Sequence, residues 1–329
     1  MKRVWKVVRI VFLGLLIAIA GFVFFSVRST NAKMSYPDEP GPAVTASQDP
    51  AVIERGRYLV YGPAHCSQCH GDYPRERPQE NTSTVPLSGG FEFAMGPIGT
   101  TWSANLTPSG IGGLSDAQVA RAITTGVQHD GQLSILMRYS AANLSLEDLT
   151  AVLSYLRSLA PVPRDVKRGS LTLLGKVAFA GFALSPDRKP LPAHVAEGTE
   201  PTLERGGYLA ENVTLCVACH STYDPSTFEP TGPKAGGGTA EASHGPDKDK
   251  EFAPPNLTSS PKGITGKMSE DEFVMRIKSG RAYPSSIMPW ENFGRMTESD
   301  MRSIYRYLKS LPPVDKDTGP SYRDVGWKP

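Results

Sequence analysis

The sequence predicts an all-α protein that carries two copies of one domain behind an N-terminal membrane helix. Three observations support this fold class: an uncharged apolar run near the N-terminus, a long-period internal repeat, and helix-start signals that recur in both copies. No convincing run of alternating apolar and polar residues indicates a strand. The net charge of +2, from 35 basic and 33 acidic residues, gives no reason to expect a nucleic-acid partner.

The first predicted element is a transmembrane anchor over residues 10–28, which follows a basic cytoplasmic head over residues 1–9. Residues 10–27 form an uncharged run of 18 residues. At 1.5 Å per residue this run spans about 27 Å, close to the roughly 30 Å hydrocarbon core of a bilayer. The cations ahead of it are Lys2, Arg3, Lys6 and Arg9. Such basic flanks stay in the cytoplasm, so we expect a single-pass protein of the cell inner membrane with its remaining residues in the periplasm. A cleaved signal peptide is the alternative.

The internal repeat defines the domains. The stretch "ERGRYLV" at 54–60 returns as "ERGGYLA" at 204–210, and "YLRSLAPV" at 155–162 returns as "YRYLKSLPPV" at 305–314. A period this long indicates duplicated domains rather than a solenoid, whose repeats run about 20–50 residues. The predicted boundaries are a tether at 29–48, domain 1 at 49–163, a linker with an apolar segment at 164–199, domain 2 at 200–314 and a C-terminal tail at 315–329.

Each copy carries start signals for short helices. Asp49 ahead of Pro50, and residues 199–201, combine a capping residue with a proline near the start of the first helix. Capping boxes that begin at Ser115 and Ser269 open the second helix. The N-cap candidates of the third helix are Ser145 and Thr297.

All four cysteines lie in two C-x-x-C-H pentads, "CSQCH" at 66–70 and "CVACH" at 216–220, which are 150 residues apart (216 − 66). In this motif the two thiols add across the heme vinyl groups and the histidine ligates the iron. Residues three apart share one face of a helical turn, so both sulfurs of a pentad reach one edge of the macrocycle. We therefore expect two covalently attached heme c groups. Their predicted binding residues are Cys66, Cys69 and His70 for one heme, and Cys216, Cys219 and His220 for the other.

Three other uses of cysteine fit the sequence less well than heme attachment does. A thioredoxin-type dithiol needs no following histidine and sits near a βαβ pattern that is absent here. A zinc site built from both pentads would join cysteines with 146 residues between them (216 − 69 − 1), far beyond the usual spacing of about 15–20. A disulfide between cysteines three apart on a helix has poor geometry.

The second axial ligand of each iron should recur at matching positions in both copies. Met137 in "LSILMRYS" and Met288 in "SSIMPWEN" stand 67 and 68 residues after their histidines (137 − 70 and 288 − 220). A thioether ligand raises the reduction potential of heme iron. Core filling is the expectation for Met95, Met268, Met296 and Met301. The unmatched histidines His65, His129, His194 and His244 are the rivals, with His129 nearest to Met137.

With these residues the chain resembles the periplasmic diheme cytochromes c, in which two class I-type domains follow a membrane anchor or signal. The resemblance covers roughly residues 47–314. The motifs that carry it are the two pentads, the two "NLT" stretches at 105–107 and 256–258, Met137, Met288, "SLAPV" and "SLPPV". The layout is also similar to the cytochrome subunits that accept electrons from quinoprotein or flavoprotein dehydrogenases, although that subfamily often carries a third pentad and this chain has two.

The resemblance implies an electron-transfer protein with no catalytic residue of its own. It would relay electrons in the periplasm from an exported dehydrogenase to a terminal oxidase or another cytochrome. The N-terminal helix would anchor it in the membrane. The alternative is a diheme redox enzyme of peroxidase type with one displaceable axial ligand. The matched methionines favour the carrier.

Overall fold

The computed structural model describes residues 2–224, 226–227, 229–243, 247–283 and 285–328, and it is mostly helical. His244, one of the rival ligands, lies outside the described residues. The α-helices are α1 (Lys2–Lys33), α2 (Pro50–Tyr61), α3 (Ser67–His70), α4 (Pro108–Ile111), α5 (Asp116–Thr125), α6 (Ile135–Ser140), α7 (Leu146–Ser158), α8 (Leu173–Phe179), α9 (Leu203–Tyr208), α10 (Cys216–Cys219), α11 (Ile264–Lys267), α12 (Glu270–Lys278), α13 (Trp290–Phe293) and α14 (Glu298–Ser310). The strands are β1 (Glu92–Ala94), β2 (Gly99–Trp102), β3 (Ser170–Leu171), β4 (Glu241–Ala242), β5 (Lys250–Phe252) and β6 (Tyr322–Asp324).

The N-terminal helix α1 contains the predicted anchor and extends beyond it at both ends. It is the one helix among the described residues that is long and apolar enough to cross a membrane. Its last turns dock on α8, in the apolar segment of the linker. The Thr30 hydroxyl donates to the Lys176 carbonyl (2.6 Å), and Lys33 Nζ donates to the carbonyl of Ala180 (2.7 Å). The linker is therefore fixed against the end of the predicted anchor.

The same helix pair forms the frame of each half: α2 packs on α7, and α9 packs on α14. The glycine that recurs in the first helix of both halves has a steric cause. A β-carbon at Gly56 would lie 1.9 Å from the Ala151 carbonyl, and one at Gly206 would lie 1.9 Å from the Ser303 carbonyl. Only glycine permits so close a helix crossing, which explains the glycine of "ERG" in both copies.

The predicted capping residues are confirmed at five of the six helix starts. Asp49 accepts from Ala51 N at the start of α2. The capping boxes of α5 and α12 are complete, and hydroxyls cap α7 and α14; the residues concerned are Ser115, Ser269, Ser145 and Thr297. The sixth prediction is wrong by a few residues. The first helix of the second half begins after Thr202, whose hydroxyl accepts from Arg205 N (3.1 Å) and so satisfies a free backbone donor.

The prediction of an all-α chain is wrong in one respect, because two small antiparallel sheets are present. Their strand orders are β1-β2-β3 and β4-β5-β6. The strands have two to four residues, which is too short for an alternating pattern to be recognised. The linker contributes β3 and the C-terminal tail contributes β6, so both segments are tied to the halves they follow.

The two halves share one continuous apolar core and meet through reciprocal hydrogen bonds. Tyr58 of the first half donates to Asp300 Oδ2 of the second (2.6 Å). Tyr208 of the second half donates to Asp148 Oδ2 of the first (2.7 Å). The tyrosine of each half thus donates to the aspartate of the other half, which is the reciprocal pattern of a two-fold interface.

Candidate heme-binding sites

The cysteines and the histidine of each pentad lie together on a single helical turn. His70 N donates to the Cys66 carbonyl (3.0 Å), and His220 N donates to the Cys216 carbonyl (2.9 Å). All four cysteines are free thiols. The backbone therefore presents two sulfurs and the following imidazole from one turn in both halves, which is the arrangement that heme attachment requires.

Each pentad histidine is oriented by a backbone carbonyl. His70 Nδ1 lies 2.8 Å from the Ala104 oxygen, and His220 Nδ1 lies 2.8 Å from the Pro255 oxygen. A carbonyl only accepts hydrogen bonds, so each Nδ1 carries the proton and each Nε2 keeps its lone pair for a metal. Burial lowers the pKa of both rings, which favours the neutral form that ligates iron.

The "NLT" stretches fix these carbonyl acceptors. Asn105, directly after Ala104, accepts from Thr107 N (2.9 Å) and from Thr107 Oγ1 (2.7 Å). Its Nδ2 donates to the Val162 carbonyl (2.9 Å), in the "SLAPV" stretch. The second half repeats this network with Asn256, Thr258 and Val314. The recurrence of both stretches was visible in the sequence, but their role as supports of the histidine was not predicted.

The two matched methionines are both half-buried, but their contacts differ. Met137 is half-buried on α6, and its N–H donates to the Ser134 hydroxyl (3.3 Å). Met288 is half-buried just ahead of α13 and packs against the shared core, as Trp290 and the pentad cysteines Cys66 and Cys216 do. The core thus brings Met288 into the same cluster as one thiol from each pentad.

The other candidate methionines and the rival histidines differ in their burial. Met296 and Met301 are buried in the core, as predicted, while Met95 and Met268 are half-buried. His129 and His194 are exposed. His65 packs edge-on against Phe293, with ring centroids 5.7 Å apart.

The structure does not favour the other uses of cysteine. In the described ranges, which include all four cysteines, no group of three or more His, Cys, Asp or Glu side chains is placed to hold a metal ion. Burial raises the pKa of Cys66 to about 12 and that of Cys69 to about 11. It also raises the pKa of Cys219 to about 11. A redox dithiol needs a lowered thiol pKa, so these buried thiols do not suit that role.

Comparison with known proteins finds cytochrome c subunits of dehydrogenases among the relatives of the chain. No family model matches the chain. It is 30% identical over 300 residues to the cytochrome c subunit of an alcohol dehydrogenase (quinone) from Gluconacetobacter polyoxogenes, with 84% of this chain and 59% of that protein covered. It is 27% identical over 300 residues to the fructose dehydrogenase cytochrome subunit of Gluconobacter japonicus, with coverages of 86% and 56%.

A third relative carries the word diheme in its name. The chain is 23% identical over 272 residues to a diheme cytochrome c-type protein of Cereibacter sphaeroides, with 78% of this chain and 85% of that protein covered. The chain spans less than two thirds of the dehydrogenase subunits, at 59% and 56% of their lengths. Its homologues are cytochrome c subunits of dehydrogenases and a diheme cytochrome c, so the resemblance inferred from the motifs is confirmed.

Proposed function

We propose that the chain is a diheme c-type cytochrome that relays single electrons in the periplasm while α1 holds it in the cell inner membrane. The observation that carries this proposal is the repeated geometry of the pentads. Each histidine has its Nδ1 2.8 Å from a carbonyl oxygen and follows two free thiols on the same turn. Heme, when bound, supplies one-electron chemistry, and the residues present fit its attachment.

Each half would hold one heme with its own residues, as two tandem class I cytochrome c-type domains do. In the first domain the thioethers would form at Cys66 and Cys69, with His70 and Met137 as axial ligands. In the second domain the thioethers would form at Cys216 and Cys219, with His220 and Met288 as axial ligands.

A buried hydrogen bond between the halves supports passage of electrons from one site to the other. Asn292, four residues after Met288 (292 − 288), is fully buried and donates from Nδ2 to the Ser67 hydroxyl (2.8 Å). Ser67 lies between the two cysteines of the first pentad. The first attachment turn is therefore bonded to the segment that carries the proposed second-site ligand, which holds the two sites in a fixed relation.

The proposed electron donor is a dehydrogenase, because named relatives are cytochrome subunits of alcohol and fructose dehydrogenases. The proposed acceptor is a terminal oxidase or another cytochrome. Partner contacts of this kind are small and transient, below about 1,200 Å² of buried area. In this proposal no residue of the chain is catalytic, and the chain holds and orients the hemes and sets their reduction potentials.

A reductive titration of the purified full-length chain tests the proposal. Two one-electron steps should appear in the heme absorption bands, and hydrogen peroxide should not be turned over. Uptake of a single electron would contradict the two-site relay. Sustained peroxide turnover would favour the peroxidase-type enzyme instead.

A further inference from the structure

The tyrosine that follows each proposed proximal histidine has a cation beside it in one half and an anion beside it in the other. Tyr73 and Tyr223 hold the same place, three residues after the histidine (73 − 70 and 223 − 220). The guanidinium carbon of Arg75 lies 4.2 Å from the centre of the Tyr73 ring. The Tyr223 hydroxyl donates to Glu241 Oε1 (3.2 Å). The two sites thus differ in charge at one equivalent place.

Arg75 is held directly against the first attachment turn. Its Nη1 donates to the Gln68 carbonyl (2.7 Å), and its Nη2 donates to the carbonyls of Cys69 (3.1 Å) and Gly71 (3.3 Å). The guanidinium is also stacked on Phe91, 4.0 Å from the ring centre. These contacts place a partly buried cation at the end of the turn that carries the proximal histidine.

The second attachment turn has no corresponding arginine. The position that matches Arg75, five residues after the histidine (75 − 70 and 225 − 220), is a proline in the sequence. Glu241 lies on β4, which pairs with β5 ahead of the Pro255 carbonyl, just as β1 pairs with β2 ahead of the Ala104 carbonyl. Glu241 is half-buried. A carboxylate therefore lies at the second site where the first has a guanidinium.

Two further charged groups act on Tyr73, Glu291 and Arg281, and they offset each other because they form an ion pair at 2.7 Å. Arg164 and Lys316 are equivalent, two residues after Val162 and Val314 (164 − 162 and 316 − 314). Arg164 pairs with Asp72 and Lys316 Nζ donates to the Gly237 carbonyl (2.9 Å), so each site has such a cation. Asp72 pairs with Arg164 at 2.8 Å, but its side chain is 51% exposed and its charge is screened.

A further cation lies on the first side. Arg295 donates to the Tyr61 carbonyl (3.5 Å), in the last residue of α2. This contact comes from the second half of the chain and adds positive charge close to the first pentad. Among the described residues, Arg75 and Arg295 thus add positive charge at the first site, and Glu241 adds negative charge at the second.

Reduction of heme iron adds an electron, so a nearby cation stabilises the reduced state and a nearby anion stabilises the oxidised state. Partly buried charges are screened less than exposed ones. We propose that Arg75 raises the reduction potential of the first heme and that Glu241 lowers that of the second, so that electrons within the chain collect on the first heme. This inference rests on the proposed diheme function.

The test is a potentiometric titration of the full-length protein in detergent, followed by heme absorption. Arg75→Gln should lower the higher of the two potentials, and Glu241→Gln should raise the lower one. For each affected heme we expect the ratio of reduced to oxidised iron at a fixed potential to change about tenfold, or about 59 mV for one electron. Both variants therefore narrow the separation between the potentials, and the double variant narrows it further.

Controls separate charge from structure. Arg75→Lys keeps the charge and should keep the higher potential, whereas a purely structural role would make it behave like Arg75→Gln. Arg77→Gln removes an exposed cation, with a side chain 61% accessible, and should move neither potential. Glu204→Gln, at an exposed position, is the matched control for Glu241→Gln.

Heme content is measured first in every variant. A wild-type chain without two hemes overturns the proposed function. If two hemes are present but the two reduction potentials lie as far apart or farther apart in Glu241→Gln and Arg75→Gln, only the charge assignment is overturned. If Arg75→Gln fails to mature, Glu241→Gln alone still decides, because it acts on the other site.

Discussion

At the residue scale, the proton on each pentad histidine is set by a residue far along the chain. The acceptors Ala104 and Pro255 lie 34 and 35 residues after their histidines. The pentads themselves could be predicted because their chemistry is local to one helical turn. The acceptors could not, because any backbone carbonyl can accept and only the fold selects one.

Asn105 and Asn256 should be required to keep these carbonyls in place. Both are buried and accept two hydrogen bonds while donating another. Asn105→Ala and Asn256→Ala should each lower the free energy of unfolding by about 1–3 kcal/mol, since partners are left unpaired. Denaturant unfolding followed by heme absorption measures this loss. Thr82→Ala, at an exposed hydroxyl, is the control. Asparagine variants as stable as the wild type would contradict the role of Asn105 and Asn256 in holding the carbonyls.

The proposed axial methionines are tested one at a time. If Met137 and Met288 each ligate an iron, the oxidised protein shows the weak sulfur-to-iron absorption near the red end of the visible spectrum. Each Met→His substitution should remove about half of it and lower one reduction potential, because imidazole stabilises ferric iron more than a thioether does.

Two further measurements decide the methionine assignment. Met95→Leu and Met268→Leu should leave the absorption and both potentials unchanged. A first site ligated by His129 would instead leave both potentials unmoved in Met137→His and shift one in His129→Ala. That result would contradict the assignment of Met137 and leave that of Met288 standing.

At the element scale, buried Arg–Asp–Tyr clusters join the helix pairs of the two halves. Asp300 at the start of α14 accepts from Arg205 Nε of α9 (2.9 Å) and from the Tyr58 hydroxyl of α2 (2.6 Å). Local signals were sufficient to predict the caps of α2, α7 and α14, but not that of α9. The clusters were not predicted, because the repeat shows which residues are equivalent but not that equivalent residues contact each other's partners.

Removal of one hydroxyl should weaken the joint between the halves. Tyr58→Phe and Tyr208→Phe should each cost about 1.5–3 kcal/mol of unfolding free energy, the range for hydrogen bonds to charged groups. Thermal unfolding measures the loss. Tyr283→Phe is the control, since Tyr283 is 45% exposed. A loss no greater than that of the control would show that the Tyr–Asp bonds do not stabilise the interface.

The equivalent cluster around Asp148 on α7 predicts a loss of stability in acid. Burial alone would raise the pKa of Asp148, but the Arg55 guanidinium outweighs it and holds the pKa below its usual value. A carboxyl with a lowered folded-state pKa stabilises the protein above its unfolded pKa of about 3.9, and that stability is lost as the pH falls through the folded value. Unfolding midpoints between about pH 2 and 6 should show a steeper acid loss in the wild type than in Asp148→Asn. Equal slopes would contradict this prediction.

At the scale of the whole molecule, the end of α1 is docked on α8 in the linker. The apolar run and its basic flank were readable in the sequence because a membrane span is a property of consecutive residues. The docking of Thr30 and Lys33 on α8 was not, because it joins residues 146 and 147 positions apart.

The proposed orientation of the chain rests on the basic head. Reporter fusions after residue 40 should be active only with a reporter that functions in the periplasm. Replacement of residues 1–30 by a cleavable signal should release a soluble protein that keeps both hemes. Activity of a cytoplasmic reporter at residue 40 would contradict the proposed location.

The central claim is that each pentad carries one covalent heme, and heme content per chain measures it most directly. The wild-type chain should contain two hemes that stay attached on denaturing gels. Cys66→Ala with Cys69→Ala should remove about half of the pyridine-hemochrome signal, and Cys216→Ala with Cys219→Ala should remove the other half. A wild-type chain with a single heme, or with bound zinc in place of heme, would contradict the claim.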